Sequence, residues 1–255
     1  DGQGQLRRRT YKKRPGTLGI CGVIQNRFRI DTAAHVLCLG FSREETEDAL
    51  IELNYLGVEN LLLVRGDSPN YEKQYSKEKS LNRYAIDLVR QVVELREGRF
   101  LEDLAESSKL DYCIGVAGYP EKHFEAANME LDIKYLKEKV DAGANYIVTQ
   151  MFFDNKNFYD FVSQCRAIGI TVPIIPGLKI LKSAQQLKTI PRTFHVDLPT
   201  DLVNQILADP SHCEEIGAAW AKNQMEDLIN NGHNNLHLYV MNDAHVARKV
   251  IETLT

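Results

Sequence analysis

The feature that most constrains the fold of this chain is an alternation. Short apolar runs, rich in Val, Ile and Leu, each give way to a stretch with helical periodicity. The runs are AAHVLCLG (33–40), NLLLVR (60–65), CIGVAGY (113–119), YIVTQM (146–151), VPIIPGL (172–178) and LHLYV (236–240). Their nearly continuous apolar character suits parallel strands covered on both faces. Between them, Ser42 starts a helix with Glu45 three residues on, a capping box. Ala49, Leu50, Leu53 and Leu56 give its apolar face and Gly57 ends it. Segment 82–98 is helical with Tyr84, Leu88, Val92 and Leu95 in phase. Segment 131–143 is helical with Ile133, Leu136 and Val140 on one face and Gly143 at its end. Segments 157–169 and 244–254 are further helices. The stretch from about Ser183 to Gly232 holds more than one helix needs, so extra helices are expected at Pro199–Ile206 and His212–Ile229.

Strands that alternate with helices build parallel βαβ units. No GxGxxG follows a strand, and GTLGICG (16–22) has the wrong spacing. No GxxxxGK[ST] occurs either, so dinucleotide-fold and P-loop architectures lose support. The expected fold is an α/β (β/α)8 TIM barrel, which needs eight units. Six are counted, and the chain opens on a loop and helix (16–28), so the first two strands are the ones expected to be lacking. Residues 1–15 read as a basic loop or linker, and 16–255 as the barrel domain.

Composition narrows the function. The chain has 255 residues, 44% of them hydrophobic, enough for one large folded domain. A net charge of −4 implies no nucleic-acid field. Five cysteines, with no CxxC, argue against a disulfide framework or a zinc site and for a reducing compartment. With neither a signal peptide nor a membrane-spanning run, the expected location is cytoplasmic. The basic run RRRTYKKR (7–14) reads as a solvated loop.

In a barrel, chemistry sits where strands end. Gly66-Asp67 follow the second run; Tyr119-Pro120-Glu121-Lys122-His123 follow the third. Gln150 and Phe152-Phe153-Asp154 end the fourth, Pro176-Gly177-Leu178-Lys179 the fifth, and Asn242-Asp243 lie beyond the sixth. Each has a plainer reading. Gly66-Asp67 alone reads as a turn. His35 reads as a core histidine, His123 as a solvated loop residue, and Phe152-Phe153 as core. Gln150 is different, because an amide ending an apolar strand needs partners that a ligand can supply. The Arg65-Gly66-Asp67 stretch also has the form of an adhesive ligand, but that use requires export. No metal-ligating motif is present.

The segments LLLVRGDSP (61–69), VAGYPEKHFEA (116–126), YLKEKVDAGANYIVTQMFFD (135–154) and VPIIPGL (172–178) together resemble the catalytic domain of the methylenetetrahydrofolate reductase family. The resemblance runs from about Arg14 to the C-terminus. It implies a barrel that holds FAD and uses it, in a ping-pong cycle, to pass hydride from NAD(P)H to methylenetetrahydrofolate. It places Asp67 beside the flavin as an anion that favours the cationic iminium form of the folate. It places the other flavin contacts on His35, Arg65, Gly66, Tyr84, Ala117, Tyr119, His123, Asp132 and Lys139. Gln150 is to touch folate and nicotinamide in turn, and Tyr239 folate. A homo-oligomer is compatible with the family; no nucleic-acid or membrane partner is expected.

The sequence departs from the family in places. The F-E-x-x-P-P motif that carries the family's general acid is not in this chain. Glu138 and Asp243 stand where some relatives place arginines, near the adenosine half of the flavin and the folate tail. Alongside the reductase reading stands another: a catalytically degenerate flavin- or folate-binding barrel subunit, completed by a partner.

Overall fold

The computed structural model describes residues 15–66, 80–104, 107–241 and 244–254. The basic run 7–14, Asp67, Asn242 and Asp243 lie outside the described residues. The first helix is α1 (Thr17–Phe28). Four strand–helix pairs follow: β1 (Ala33–Leu37) and α2 (Arg43–Tyr55), β2 (Asn60–Val64) and α3 (Ala85–Arg96), β3 (Cys113–Gly118) and α4 (Met129–Asp141), β4 (Tyr146–Met151) and α5 (Asn155–Ala167), then β5 (Ile174–Leu178), which leads into three helices. These are α6 (Gln186–Phe194), α7 (Thr200–Ala208) and α8 (Cys213–Asn230); β6 (His237–Leu238) and α9 (His245–Glu252) end the described chain.

The six strands form one all-parallel sheet in the order β1-β2-β3-β4-β5-β6. The two units that an eight-unit barrel would add are not among the described residues. Register separates the two faces. Val36, Leu63, Val116, Ile147 and Ile174 lie side by side and, with Ala34, Leu61 and Ile114, pack against the helices in the main core. The other row, His35, Leu62, Gly115 and Tyr146, points inward. There the Tyr146 ring lies over Gly115, where any Cβ would collide at 2.3 Å, and its hydroxyl donates to the Leu61 carbonyl at 2.8 Å. The sheet is curled. His35 on β1 and His237 on β6, the two outermost strands, are close enough to depress the His237 pKa further than burial alone does.

Most boundaries follow from local chemistry. The capping box at Ser42 is present in both directions: Ser42 Oγ accepts from the Glu45 N–H at 3.2 Å and Glu45 Oε2 from the Ser42 N–H at 2.9 Å. Asn128 and Asp154 cap α4 and α5 in one direction only, their side chains accepting from the Leu131 and Lys156 N–H groups at 2.9 Å. In three places the strands and helices differ from the sequence expectation. Tyr84 is not on the apolar face of a helix. It is the residue before α3, 59% exposed, with its N–H given to the Asp87 carboxylate, while Leu88, Val92 and Leu95 are buried as expected. The run LHLYV forms only a two-residue strand. Lys179 Nζ takes the Tyr239 carbonyl at 2.8 Å, and Met241 turns the chain at φ 63°. The start of VPIIPGL lies outside β5, and Pro176 offers no N–H to the ladder. The β4–β5 register shifts at that point, and the Gly177 N–H bonds to Thr149 Oγ1 at 2.8 Å.

The extra helical stretch holds one helix more than expected. The sequence masks α6 because Pro191 sits inside it. Helices α6–α8 surround a second core of Met151, Phe153, Leu181, Ile190, Val196, Leu202, Ile206 and Cys213. The phenylalanine pair is thus divided: Phe152 stacks on Phe158 in the main core and Phe153 enters the second. Among the described residues, no helix is long and apolar enough to cross a membrane.

Candidate cofactor cavity

At the C-terminal ends of β2 and β3, between these strand ends and helices α3 and α4, lies a cavity of about 510 Å³. Its floor is apolar, from Leu63, Val64 and Ala117. Arg65, Tyr84, Tyr119, His123, Asp132 and Lys139 supply the polar wall. Seven of the ten sequence-assigned flavin contacts, Ala117 and these six, therefore converge on one space. Of the other three, Gly66 adjoins Arg65, Asp67 lies outside the described residues, and His35 does not line the cavity. His35 stands exposed on the inner face of β1, and burial of its surroundings lowers its pKa. The reading of His35 as a core histidine is thereby corrected.

Each polar group is held in place. Lys139 Nζ donates to the Ala117 carbonyl at 2.8 Å, and burial pulls its pKa down to about 8 against the partial compensation of Asp132. An ammonium carries three donors. One is used here, which leaves capacity for an anion. Asp132 Oδ2 accepts the His123 N–H at 2.8 Å. The Glu125 N–H points at His123 Nδ1 at 3.2 Å, so the neutral ring carries its proton on Nε2. Burial lowers the His123 pKa, opposed by the carboxylates of Asp132 and Glu125 and reinforced by Arg65 and Lys139. His123 is a fixed cavity residue, not a solvated loop side chain.

Arg65 pairs with Glu125 through both guanidinium nitrogens, one of them at 2.8 Å, and lies 5.9 Å from the Tyr84 ring centre. That hydrogen bond holds the Glu125 carboxyl below its usual range. Gly66 has φ +84°, a left-handed conformation that favours glycine. A Cβ there would make only ordinary contact with Leu37 at 3.5 Å, so the dihedral rather than close approach explains the glycine.

Among the wall residues that sequence reasoning missed are Tyr135, Glu125 and Ile86. Tyr135 sits between Asp132 and Lys139 at helical spacing, so the polar face of α4 carried a readable signal. Glu125 pairs with a residue 60 positions away, and Ile86 follows the misassigned Tyr84; neither left a local signal. Glu138 lines the same wall.

The two substrate candidates form a second group. Gln150 is half-buried at the end of β4. Its Oε1 accepts the Met151 N–H at 3.0 Å, and Nε2 has no acceptor among the described residues. The amide is thus half satisfied by its own backbone and half available. Tyr239 donates its hydroxyl to the carbonyl of Thr149, the residue before Gln150, at 2.8 Å, and burial raises its pKa. Among the described residues, no group of three or more His, Cys, Asp or Glu could hold a metal ion.

A parallel, barrel-type α/β protein with a cofactor-sized cavity at its strand ends is the class that this fold and site define. A similar architecture among solved structures, at TM-score 0.56 and 13% identity, is that of an uncharacterized protein from Clostridium thermocellum that binds two copies of 5-methyl-5,6,7,8-tetrahydrofolic acid. The match covers 91% of this chain and 77% of that one, and it shows the shared fold. The family model for methylenetetrahydrofolate reductase matches residues 8–255. Methylenetetrahydrofolate reductase 1 of Schizosaccharomyces pombe is 34% identical over 241 residues, covering 93% of this chain and 38% of the yeast protein. The 5,10-methylenetetrahydrofolate reductase of Pectobacterium carotovorum is 30% identical, over 95% of this chain and 76% of that protein. The chain belongs to the methylenetetrahydrofolate reductase family. It spans well under half of the length of the yeast relative and about three quarters of the bacterial one.

Proposed function

We propose that this chain binds FAD in the β2–β3 cavity and catalyses the NAD(P)H-dependent reduction of 5,10-methylenetetrahydrofolate to 5-methyltetrahydrofolate. The observation that carries this reading is the convergence of Arg65, Tyr84, Ala117, Tyr119, His123, Asp132 and Lys139 on one cavity. The donor set suits a dinucleotide. Lys139 and Arg65 offer charge to phosphates, Asp132 has an oxygen open to hydroxyl groups, and the tyrosines offer faces to rings.

Held by Arg65, Tyr84, His123, Asp132 and Lys139, FAD would supply the hydride-transfer chemistry between NAD(P)H and the folate. The chain's own groups position and polarise. Gln150 offers its free Nε2 donor to whichever substrate is present, which suits two substrates that take turns at one place. Tyr239, locked to Thr149, gives that place a fixed wall. Asp67, next in sequence after Gly66, supplies the anion that favours the cationic iminium form of the folate. Protonation of the folate nitrogen calls for an acid that no F-E-x-x-P-P motif supplies in this sequence.

Anaerobic half-reactions test the reading. NADH or NADPH should bleach the absorbance of the FAD-loaded chain, and methylenetetrahydrofolate should restore it. A chain that holds FAD and is bleached by nicotinamide, yet is never recoloured by folate, would instead favour the degenerate-subunit reading.

A further inference from the structure

We propose that Glu121 is a positioning residue for the cofactor cavity, clasping the loop that carries Tyr119 and His123 to the helical lobe of α6–α8 and so setting how long a cofactor stays bound. The inference rests on the FAD reading above and extends it to a residue outside the cavity wall.

Three consecutive residues after α6 make the clasp. The Asp197 N–H donates to Glu121 Oε2 at 2.6 Å. Val196, 4% exposed, is anchored in the second core. His195 stacks on Phe124 with ring centres 4.6 Å apart and planes at 23°. The other carboxylate oxygen of Glu121 accepts from Asn157 Nδ2 on α5 at 2.9 Å. Between Glu121 and Phe124, the β3–α4 loop carries His123, whose ring meets both Phe124 and Tyr119 edge to face or tilted at 4.7 Å. The chain of contact therefore runs from the second core through Val196 and His195 to Phe124, His123 and Tyr119. Because the same core takes in Met151 and Phe153, the lobe also grips the strand that carries Gln150.

The clasp needs both carboxylate oxygens as acceptors. Protonation turns one into a hydroxyl and weakens one of the two bonds. Burial raises the Glu121 pKa; the two hydrogen bonds oppose this, and the carboxylates of Asp197 and of Asp154, at the start of α5, reinforce it. On its own loop the charged neighbours are Lys122, whose Nζ is held by the His123 and Ala126 carbonyls, and His123. The full clasp is present above the Glu121 pKa and is lost as pH falls through it. Because that pKa is raised, the loss comes at milder acidity than an ordinary glutamate would give.

The test is the rate of FAD release from the loaded full chain, followed by recovery of flavin fluorescence between about pH 5 and about pH 8. Wild-type release should quicken on acidification. Glu121→Gln should release roughly tenfold faster at neutral pH and lose the acid response, since an amide has one acceptor where two are needed. Asn157→Ala keeps the carboxylate and should show a smaller acceleration with the acid response retained. If Glu121→Gln does not fold, Asn157→Ala alone decides. Release at the wild-type rate and pH profile, or a lower Tm of the FAD-free chain with unchanged release, overturns the clasp. A wild-type chain that takes up no FAD overturns the parent reading instead.

Discussion

Lys139 gives the cavity its most specific electrostatic property. Its ammonium is held at the Ala117 carbonyl with a pKa near 8, where a solvated lysine would be fully charged at that pH. A phosphate favours the protonated form, so FAD affinity should fall as pH rises through about 8. Lys139→Met should bind FAD about tenfold more weakly and show no such fall; fluorescence titration at stepped pH checks both. Lys139→Arg, which stays charged, should flatten the pH dependence while keeping much of the affinity. Gly66 makes a different prediction. With φ +84°, Gly66→Ala should cost about 1–2 kcal/mol in urea unfolding even though the added methyl meets only Leu37 at ordinary distance.

At the level of elements, the second core decides how the site is braced. Phe153 is 1% exposed and follows the end of β4, three residues after Gln150. Phe153→Ala should destabilise the chain by about 3–5 kcal/mol in denaturant melts. The β4 and helix-cap readings held because they rest on local chemistry: the Ser42–Glu45 box and the run YIVTQM need no distant partner. Tyr84, β6 and α6 were misread because their outcomes depend on remote groups. The Asp87 carboxylate and Arg65 draw Tyr84 out of the helix, Lys179 takes the carbonyl that a ladder would use, and the second core tolerates a proline inside α6. The cavity was legible through the resemblance of its motifs, and the α4 face through its spacing. The Glu121–Asp197 bond, 76 positions apart, was not legible at all.

For the whole molecule, a curled parallel sheet brings strand ends that are far apart in sequence to one face. The stretch LLLVRG (61–66) is part of that arrangement: Leu61 and Leu63 are fully buried in the main core, and Arg65 reaches the cavity wall. The central claim is that this cavity holds FAD. The most direct measurement is an equilibrium FAD titration of the full chain, side by side with Lys139→Met and Tyr84→Ala. Saturable binding of one FAD per chain, weakened in both variants, is the predicted result. No binding, or binding that neither variant alters, would contradict it.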